Sequence, residues 1–231
     1  MTTLNFPRPL TTVDIVILTI IDERLNVLLL KRPKTTKEPF PDKWALPGGF
    51  VNIEQDETLY DCALRKLIDK TGVSCPYLEQ VGSWGNATRD PRGWSATHVY
   101  VALLPYSSVQ KNEQATWVPV NQNNILNDLA FDHTLLLSAT LERVRGKTEY
   151  TSMPAYLLPE KFSLSELQKV YEIVLERKLE KKSFRTRMLA ADFLKPTEEY
   201  KKTSRRPALL YQLIKTTDLI YFSRNFESAA K

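Results

Sequence analysis

The sequence predicts an α+β chain of two modules, a sheet-based domain over residues 1–152 and a winged helix-turn-helix over residues 153–231. The N-terminal part carries repeated β-branched and apolar runs around two helical segments. The C-terminal part carries helix, turn, helix, basic loop and strand, in that order. Charge separates the two. Residues 1–158 hold 16 Lys and Arg against 17 Asp and Glu, whereas residues 159–231 hold 16 against 10. The positive excess of the chain, formally +5 at pH 7, therefore lies in its last third, as in a module that meets a polyanion.

Asp14-Ile-Val-Ile-Leu-Thr-Ile-Ile21 and Asn26-Val-Leu-Leu-Leu-Lys-Arg32 are β-rich runs separated by Asp22-Glu23-Arg24, the pattern of a hairpin. Trp44-Ala-Leu-Pro-Gly-Gly-Phe50 reads as a strand and turn, and a helix comes after Glu57. On that helix Lys66, Asp69 and Lys70 stand at i, i+3 and i+4, hence on one face. Arg89-Asp-Pro-Arg-Gly93 precedes a strand at His98–Leu104, and Trp117-Val-Pro119 precedes Leu129-Ala-Phe-Asp-His133, which opens a helix to about Val144.

Met153-Pro-Ala-Tyr-Leu-Leu-Pro159 has two prolines and no helical period, and reads as a linker or domain entry. Ser163-Leu-Ser-Glu166 has capping-box spacing. Leu164, Leu167, Tyr171, Val174 and Leu175 then mark an amphipathic helix to about Glu176. Ser183 is the expected cap of a second helix over residues 184–194, with Phe184, Met188 and Ala191 on its buried stripe and Pro196 ending it. A basic loop from Thr197 to Arg206 leads to a strand from Ala208 to Ile214. Residues 177–206 hold 11 Lys and Arg against 4 Asp and Glu, where a recognition helix and wing need them. A helical dimerisation bundle is the alternative, but it has no use for Lys201-Lys-Thr-Ser-Arg-Arg206 on a loop. Residues 216–231 are left without a role, and Leu219-Ile-Tyr-Phe222 suits a strand or a helix equally.

Gly48–Val73, GGFVNIEQDETLYDCALRKLIDKTGV, resembles the Nudix box: Gly, five residues, Glu, seven residues, then Arg-Glu-apolar-any-Glu-Glu-any-Gly-apolar. From Glu57 the chain keeps the seven-residue gap, Arg65, Leu67, Gly72 and Val73, but seven residues separate Gly49 from Glu57. The three glutamates fall on Lys66, Asp69 and Lys70, turning three negative charges into a net single positive one. Hard cations need clustered oxygen donors, and lysines repel them. Arg89–Gly93 resembles a segment of ADP-ribose pyrophosphatases. Together with SLSELQKVYE, KSFRTRML and SRRPALLYQL, nearly the whole chain resembles the Nudix-related transcriptional regulators, the NrtR family.

That resemblance implies an N-terminal Nudix α/β/α sandwich with a mixed sheet and a C-terminal winged helix-turn-helix. It also implies a cytoplasmic homodimer repressing NAD-metabolism genes from a palindromic site on double-stranded DNA. ADP-ribose or a related nucleotide is the implied effector, with no catalytic residue, metal or required cofactor. The expected effector contacts are Arg32, Gly49, Phe50, Lys66, Lys70, Arg89, Arg92, Trp94 and His133. The expected DNA contacts are Lys182, Ser183, Arg185, Arg187, Lys201, Lys202, Thr203, Ser204, Arg205 and Arg206. Structural roles compete at several of these. Phe50 suits the core, Trp94 suits core or base stacking, and Arg89 and Arg92 can brace a loop through Asp90. Arg65 suits a pairing with Glu57 or a backbone carbonyl.

Two other functions remain open: a Mg²⁺-dependent ADP-ribose pyrophosphatase using Glu54, Asp56 or Glu57, and a sugar-responsive regulator of the same architecture. Composition adds exclusions. No apolar run suffices to span a bilayer and no basic-then-apolar leader precedes the first strand. Cys62 and Cys75 read as buried thiols, and His98 and His133 are too few for a histidine-rich metal site.

Overall fold

A computed structural model describes residues 7–35, 37–72, 77–106, 115–121, 128–202, 206–214 and 219–222. In the N-terminal domain β1 (Leu10–Ile21) and β2 (Arg24–Lys31) form the expected hairpin, with Asp22 and Glu23 both at positive φ, the turn that matches strand twist. β3 (Trp44–Ala45), β4 (Gly48–Phe50), β5 (Tyr77–Asn86), β6 (Ser95–Leu103) and β7 (Ala115–Pro119) complete a seven-stranded sheet among the described residues. It is mixed: β1 pairs β6 in parallel, and the remaining pairs are antiparallel.

The continuous apolar run of β1 is explained by cover on both faces. Val13, Ile15 and Ile17 pack with Cys62, Ala63 and Leu67 of α1 (Leu59–Thr71). Val16 and Leu18 pack with Leu136, Leu137, Leu141 and Val144 of α2 (His133–Thr148). Helix α1 starts at a capping box made by Thr58 and Asp61, and Gly72 ends it in the left-handed region.

The C-terminal domain has β8 (Phe162–Ser163), α3 (Leu164–Leu175), α4 (Lys181–Ala190), β9 (Leu194–Lys201) and β10 (Ala208–Leu213), with sheet order β8-β10-β9. Ser163 and Glu166 make the expected capping box. Four expectations need correction. Residues Met153–Leu157 are a buried 3-10 helix whose Met153 and Leu157 join the N-terminal core, so this segment is not a loose linker. Glu180, not Ser183, caps α4, its carboxylate accepting from the Lys182 and Ser183 amides. The helix stops at Ala190, because Asp192 takes a left-handed conformation that turns Phe193 and Leu194 into the core. From Leu194 to Lys201 the chain is strand β9 and not a loop. Pro196 is tolerated there because β9 is an edge strand.

Helix α3 belongs to both cores. Val170 and Val174 pack into the α2 side of the N-terminal domain, while Leu164, Leu167 and Tyr171 pack with Phe184 and Met188 of α4. Residues 219–222 cross the same junction. Ser152 N–H donates to the Ile220 carbonyl at 3.0 Å and Phe222 N–H to the Tyr150 carbonyl at 2.8 Å. The Phe222 ring is buried against Phe193.

Gly48 gives a direct test of how closely β4 is fitted. A Cβ there would lie 2.2 Å from Asp14 Oδ1 and 2.5 Å from the Val13 carbonyl oxygen. Gly48→Ala must separate β4 from β1, and a loss of about 3 kcal/mol or more is expected. Chemical denaturation measures it, and a midpoint equal to the wild type would contradict the fit.

Candidate functional site

A pocket opens where β1 and β4 meet the loops after β2, between β5 and β6, and before α2. Thr12, Asp14, Arg32, Leu46, Gly48, Gly49, Phe50, Arg89, Asp90, Arg92, Phe131 and His133 line it. Arg89 is its buried brace. Its Nε and Nη2 donate to the two Asp132 carboxylate oxygens at 3.0 and 2.8 Å, and Nη1 donates to Ser95 Oγ at 3.3 Å. Asp14 lies 3.7 Å from the same guanidinium. Asp132 therefore stands at the N-cap of α2 without making a side-chain cap.

His133, 4% exposed, accepts the Leu46 N–H on Nδ1 at 2.9 Å, so a neutral ring carries its proton on Nε2, which faces Asp14 Oδ1 at 3.7 Å. Burial pushes its pKa below the ordinary value, although Asp14 and Asp132 pull the other way.

The mouth is built from two arginine–aromatic pairs. Arg32 donates from Nε to the Pro39 carbonyl at 2.8 Å and lies 4.9 Å over the Phe131 ring. Arg92 holds Asp90 with Nε at 3.0 Å and Nη2 at 2.8 Å, and lies 4.9 Å over the Phe50 ring. Phe50 is thus an exposed partner of Arg92 and not core. Phe131 sits at φ 54°, a strained region for an aromatic residue, with Phe40 4.7 Å away. Glu38 bridges the two arginines, its Oε2 3.4 Å from Arg32 Nη2 and 3.5 Å from Arg92 Nη1. No local pattern in the sequence marked Glu38 or Phe131.

Of the expected effector contacts, the pocket gathers Arg32, Gly49, Phe50, Arg89, Arg92 and His133. Lys66 lies beside it: its Nζ is 3.1 Å from where a Cβ on Gly49 would stand. Lys70, in the last turn of α1, and the exposed Trp94 lie outside the lining. Arg65 pairs with Asp56 instead of Glu57, Nε reaching Oδ1 at 2.7 Å. Asp56, whose side chain is fully buried, also accepts the Asn52 N–H at 2.7 Å. The Arg65 hydrogen bond holds Asp56 far below the usual carboxylate range, against the opposing effect of burial.

The divalent-metal site that the resemblance to the Nudix box implies does not fit these residues. Lys66 puts an ammonium over Gly49, Asp69 is exposed, and Asp56 spends both oxygens on Arg65. Among the described residues no three His, Cys, Asp or Glu side chains are grouped to hold an ion.

A second face lies on α4. Lys181, Lys182, Ser183, Arg185, Thr186 and Leu189 are all exposed, with Phe184 and Met188 turned inward. Lys201 and Lys202 lie at the end of β9 and Arg206 before β10, all exposed, while Thr203, Ser204 and Arg205 lie outside the described residues. Lys201 Nζ sits 2.6 Å from Glu166 Oε1, tying the wing to the cap of α3. Arg187 points elsewhere: Nη2 donates to the Glu149 carbonyl at 2.9 Å, and the guanidinium lies 5.2 Å over the Phe222 ring. It holds α4 to the end of α2.

Comparison with known proteins covers both parts of the chain. Residues 10–138 match the NUDIX domain model and residues 154–213 match the NrtR DNA-binding winged helix domain. The chain is 46% identical over 212 residues to the ADPR-responsive transcriptional repressor NtrR of Acinetobacter baylyi, covering 90% of this chain and 83% of that one. The chain belongs to the NrtR family. Shewanella oneidensis NrtR in complex with a 27mer DNA is similar at TM-score 0.82 and 41% identity, over 88% of this chain and 93% of that one. The NUDIX domain of Shewanella oneidensis NrtR in complex with ADP ribose is similar at TM-score 0.53 and 39% identity, over 62% and 93% respectively. Within the NrtR family frame, the mixed sheet carries the arginine pocket and the winged helix carries the basic face.

His133 makes the pocket sensitive to pH. Its folded pKa is depressed, so the unfolded chain takes up a proton first as pH falls. The neutral ring therefore contributes its full stability above about pH 6.5, and that contribution is lost from there down towards the folded value. The melting temperature should drop between about pH 7 and 5.5, and His133→Gln should flatten that segment of the profile. Identical profiles for the two proteins would contradict a buried neutral His133.

Proposed function

We propose that this protein is a homodimeric transcriptional repressor that releases a palindromic operator when ADP-ribose, or a close nucleotide relative, fills the arginine pocket. NAD-metabolism genes are the proposed targets. One observation carries the reading: a single helix runs from the pocket to the helix whose other side carries the basic face. The N-terminus of α2 is held at the pocket through Arg89–Asp132 and Leu46–His133. About 24 Å away, at 1.5 Å rise per residue, its other end receives Arg187 of α4 and, through Glu149, Arg177. Movement of α2 on ligand binding is thereby passed to the helix that would lie in the major groove.

The pocket suits a nucleoside diphosphate sugar. Arg32, Arg92 and Lys66 supply positive charge for the diphosphate without metal, and Phe50 and Phe131 supply stacking surface. The ADP-ribose complex of the Shewanella NUDIX domain and the DNA complex of the Shewanella protein support the two halves of the reading. Hydrolysis is not expected. Diphosphate cleavage in this fold relies on cations to activate water and stabilise the leaving group, and Lys66 and Lys70 take the place of two glutamates in the box pattern that the chain resembles. The purified protein with ADP-ribose and Mg²⁺ or Mn²⁺ should release AMP far below about 1–10 per second. Turnover in that range would replace the repressor reading with the hydrolase one.

Operator affinity should fall steeply with salt, because several phosphates are neutralised per subunit. Arg185→Ala should cost about 1–3 kcal/mol of specific binding if α4 lies in the groove. Arg187→Ala should act differently: ADP-ribose still binds, but its effect on operator affinity, expected at about 5–150-fold, shrinks. Fluorescence anisotropy with a labelled operator and titrated ADP-ribose reads all three. ADP-ribose that binds and leaves operator affinity unchanged would point to a sugar or another nucleotide as the signal.

A further inference from the structure

The two guanidiniums at the pocket mouth hold a carboxylate where an anionic ligand would be expected. Glu38 Oε2 stands 3.4 Å from Arg32 Nη2 and 3.5 Å from Arg92 Nη1, so one oxygen serves two cations. Both contacts are long for charged hydrogen bonds, which favour about 2.7–2.9 Å. The Glu38 side chain is 48% exposed and lies in the loop between β2 and β3. The arginines, by contrast, are fixed from behind. Arg32 is pinned by the Pro39 carbonyl and the Phe131 ring, and Arg92 by both Asp90 oxygens and the Phe50 ring. Their donors are preorganised, and the anion between them is loosely held.

We propose that Glu38 is a built-in competitor for the anion site, occupying the place of a ligand phosphate between Arg32 and Arg92 and leaving when a diphosphate enters. This deepens the effector reading above and rests on it for the identity of the ligand. The physical consequence is selectivity. A phosphate group can present oxygens to both guanidiniums at once, with higher charge than a carboxylate and shorter hydrogen bonds. A singly charged metabolite gains little over Glu38 itself and does not displace it. The competitor also adds to the charge compensation that Asp90 already gives Arg92 when the pocket holds no ligand.

Isothermal titration of ADP-ribose and, separately, inorganic pyrophosphate into full-length wild type, Glu38→Gln and Glu142→Gln tests this at fixed ionic strength without metal. Glu142 is exposed on α2 outside the pocket lining, so its variant carries the same change in net charge. Glu38→Gln should bind both ligands about 3- to 10-fold more tightly, the scale of removing two exposed ion pairs. Glu142→Gln should stay near the wild type. The gain should disappear when Glu38→Gln is combined with Arg92→Gln. Equal or weaker binding of both ligands by Glu38→Gln overturns the proposal, as does an equal gain in Glu142→Gln. A wild type that ignores ADP-ribose while Glu38→Gln gains pyrophosphate affinity would sink the effector reading and leave the competitor standing.

Discussion

The pocket and the helix that leaves it both depend on one buried cation. Arg89 is almost wholly enclosed, and a charge so placed is costly unless its donors are satisfied. It spans three elements: Asp132 at the start of α2, Ser95 at the start of β6 and Asp14 in the middle of β1. Those contacts fix where α2 begins. They also place His133 against Leu46 and force Gly48 to be a glycine, because Asp14 fills the space a side chain would need. An arginine in this position acts as the keystone of the pocket, its donors already taken by Asp132 and Ser95.

The far end of α2 explains why the two domains are not beads on a string. Arg187, Arg177 and Arg145 all reach between α2 and the helices of the C-terminal domain, to the Glu149 carbonyl, the Glu149 carboxylate and Glu176. Lys169 of α3 pairs with Glu23 in the β1–β2 turn at 2.7 Å. Beneath these polar contacts, Val170 and Val174 sit in the N-terminal core while Tyr171 on the same helix donates its hydroxyl to the Thr151 carbonyl at 2.7 Å. Packed cores switch between discrete arrangements more readily than they deform. A helix shared by two cores ties the packing of one to the packing of the other.

Much of this was legible in the sequence, where the signal was local. The β1–β2 hairpin, the Ser163–Glu166 capping box, the helix closed by Gly72 and the basic α4 each come from residues adjacent in the chain. The resemblance to the NrtR family supplied the order of the elements. The parts that were not legible depend on distant partners. The chain pairs Arg65 with Asp56, which is also held by the Asn52 N–H, and not with Glu57. Helical period extended α4 to residue 194, yet Phe193 and Leu194 are drawn into a core that includes Phe222, far along the chain. The Arg187 stack on that ring could not be anticipated for the same reason, since helical spacing alone puts Arg185 and Arg187 on equal footing.

Charge in the pocket has a further consequence for what it can hold. Three arginines face four carboxylates, Asp14, Asp90, Asp132 and Glu38, with a neutral His133 between them. As it stands the cluster carries no positive excess to attract a diphosphate. Asp14, Asp90 and Asp132 are each engaged by buried or bidentate contacts and cannot leave cheaply. Glu38 is on a loop, half-exposed, and bound at the limit of hydrogen-bonding distance. It is the one acid among these four whose departure brings the cluster to neutrality without dismantling the fold. Lys66, standing at the rim over Gly49, then adds the charge that makes the pocket cationic. A pocket that becomes cationic only when its own carboxylate is pushed aside binds a highly charged anion well and a weakly charged one poorly.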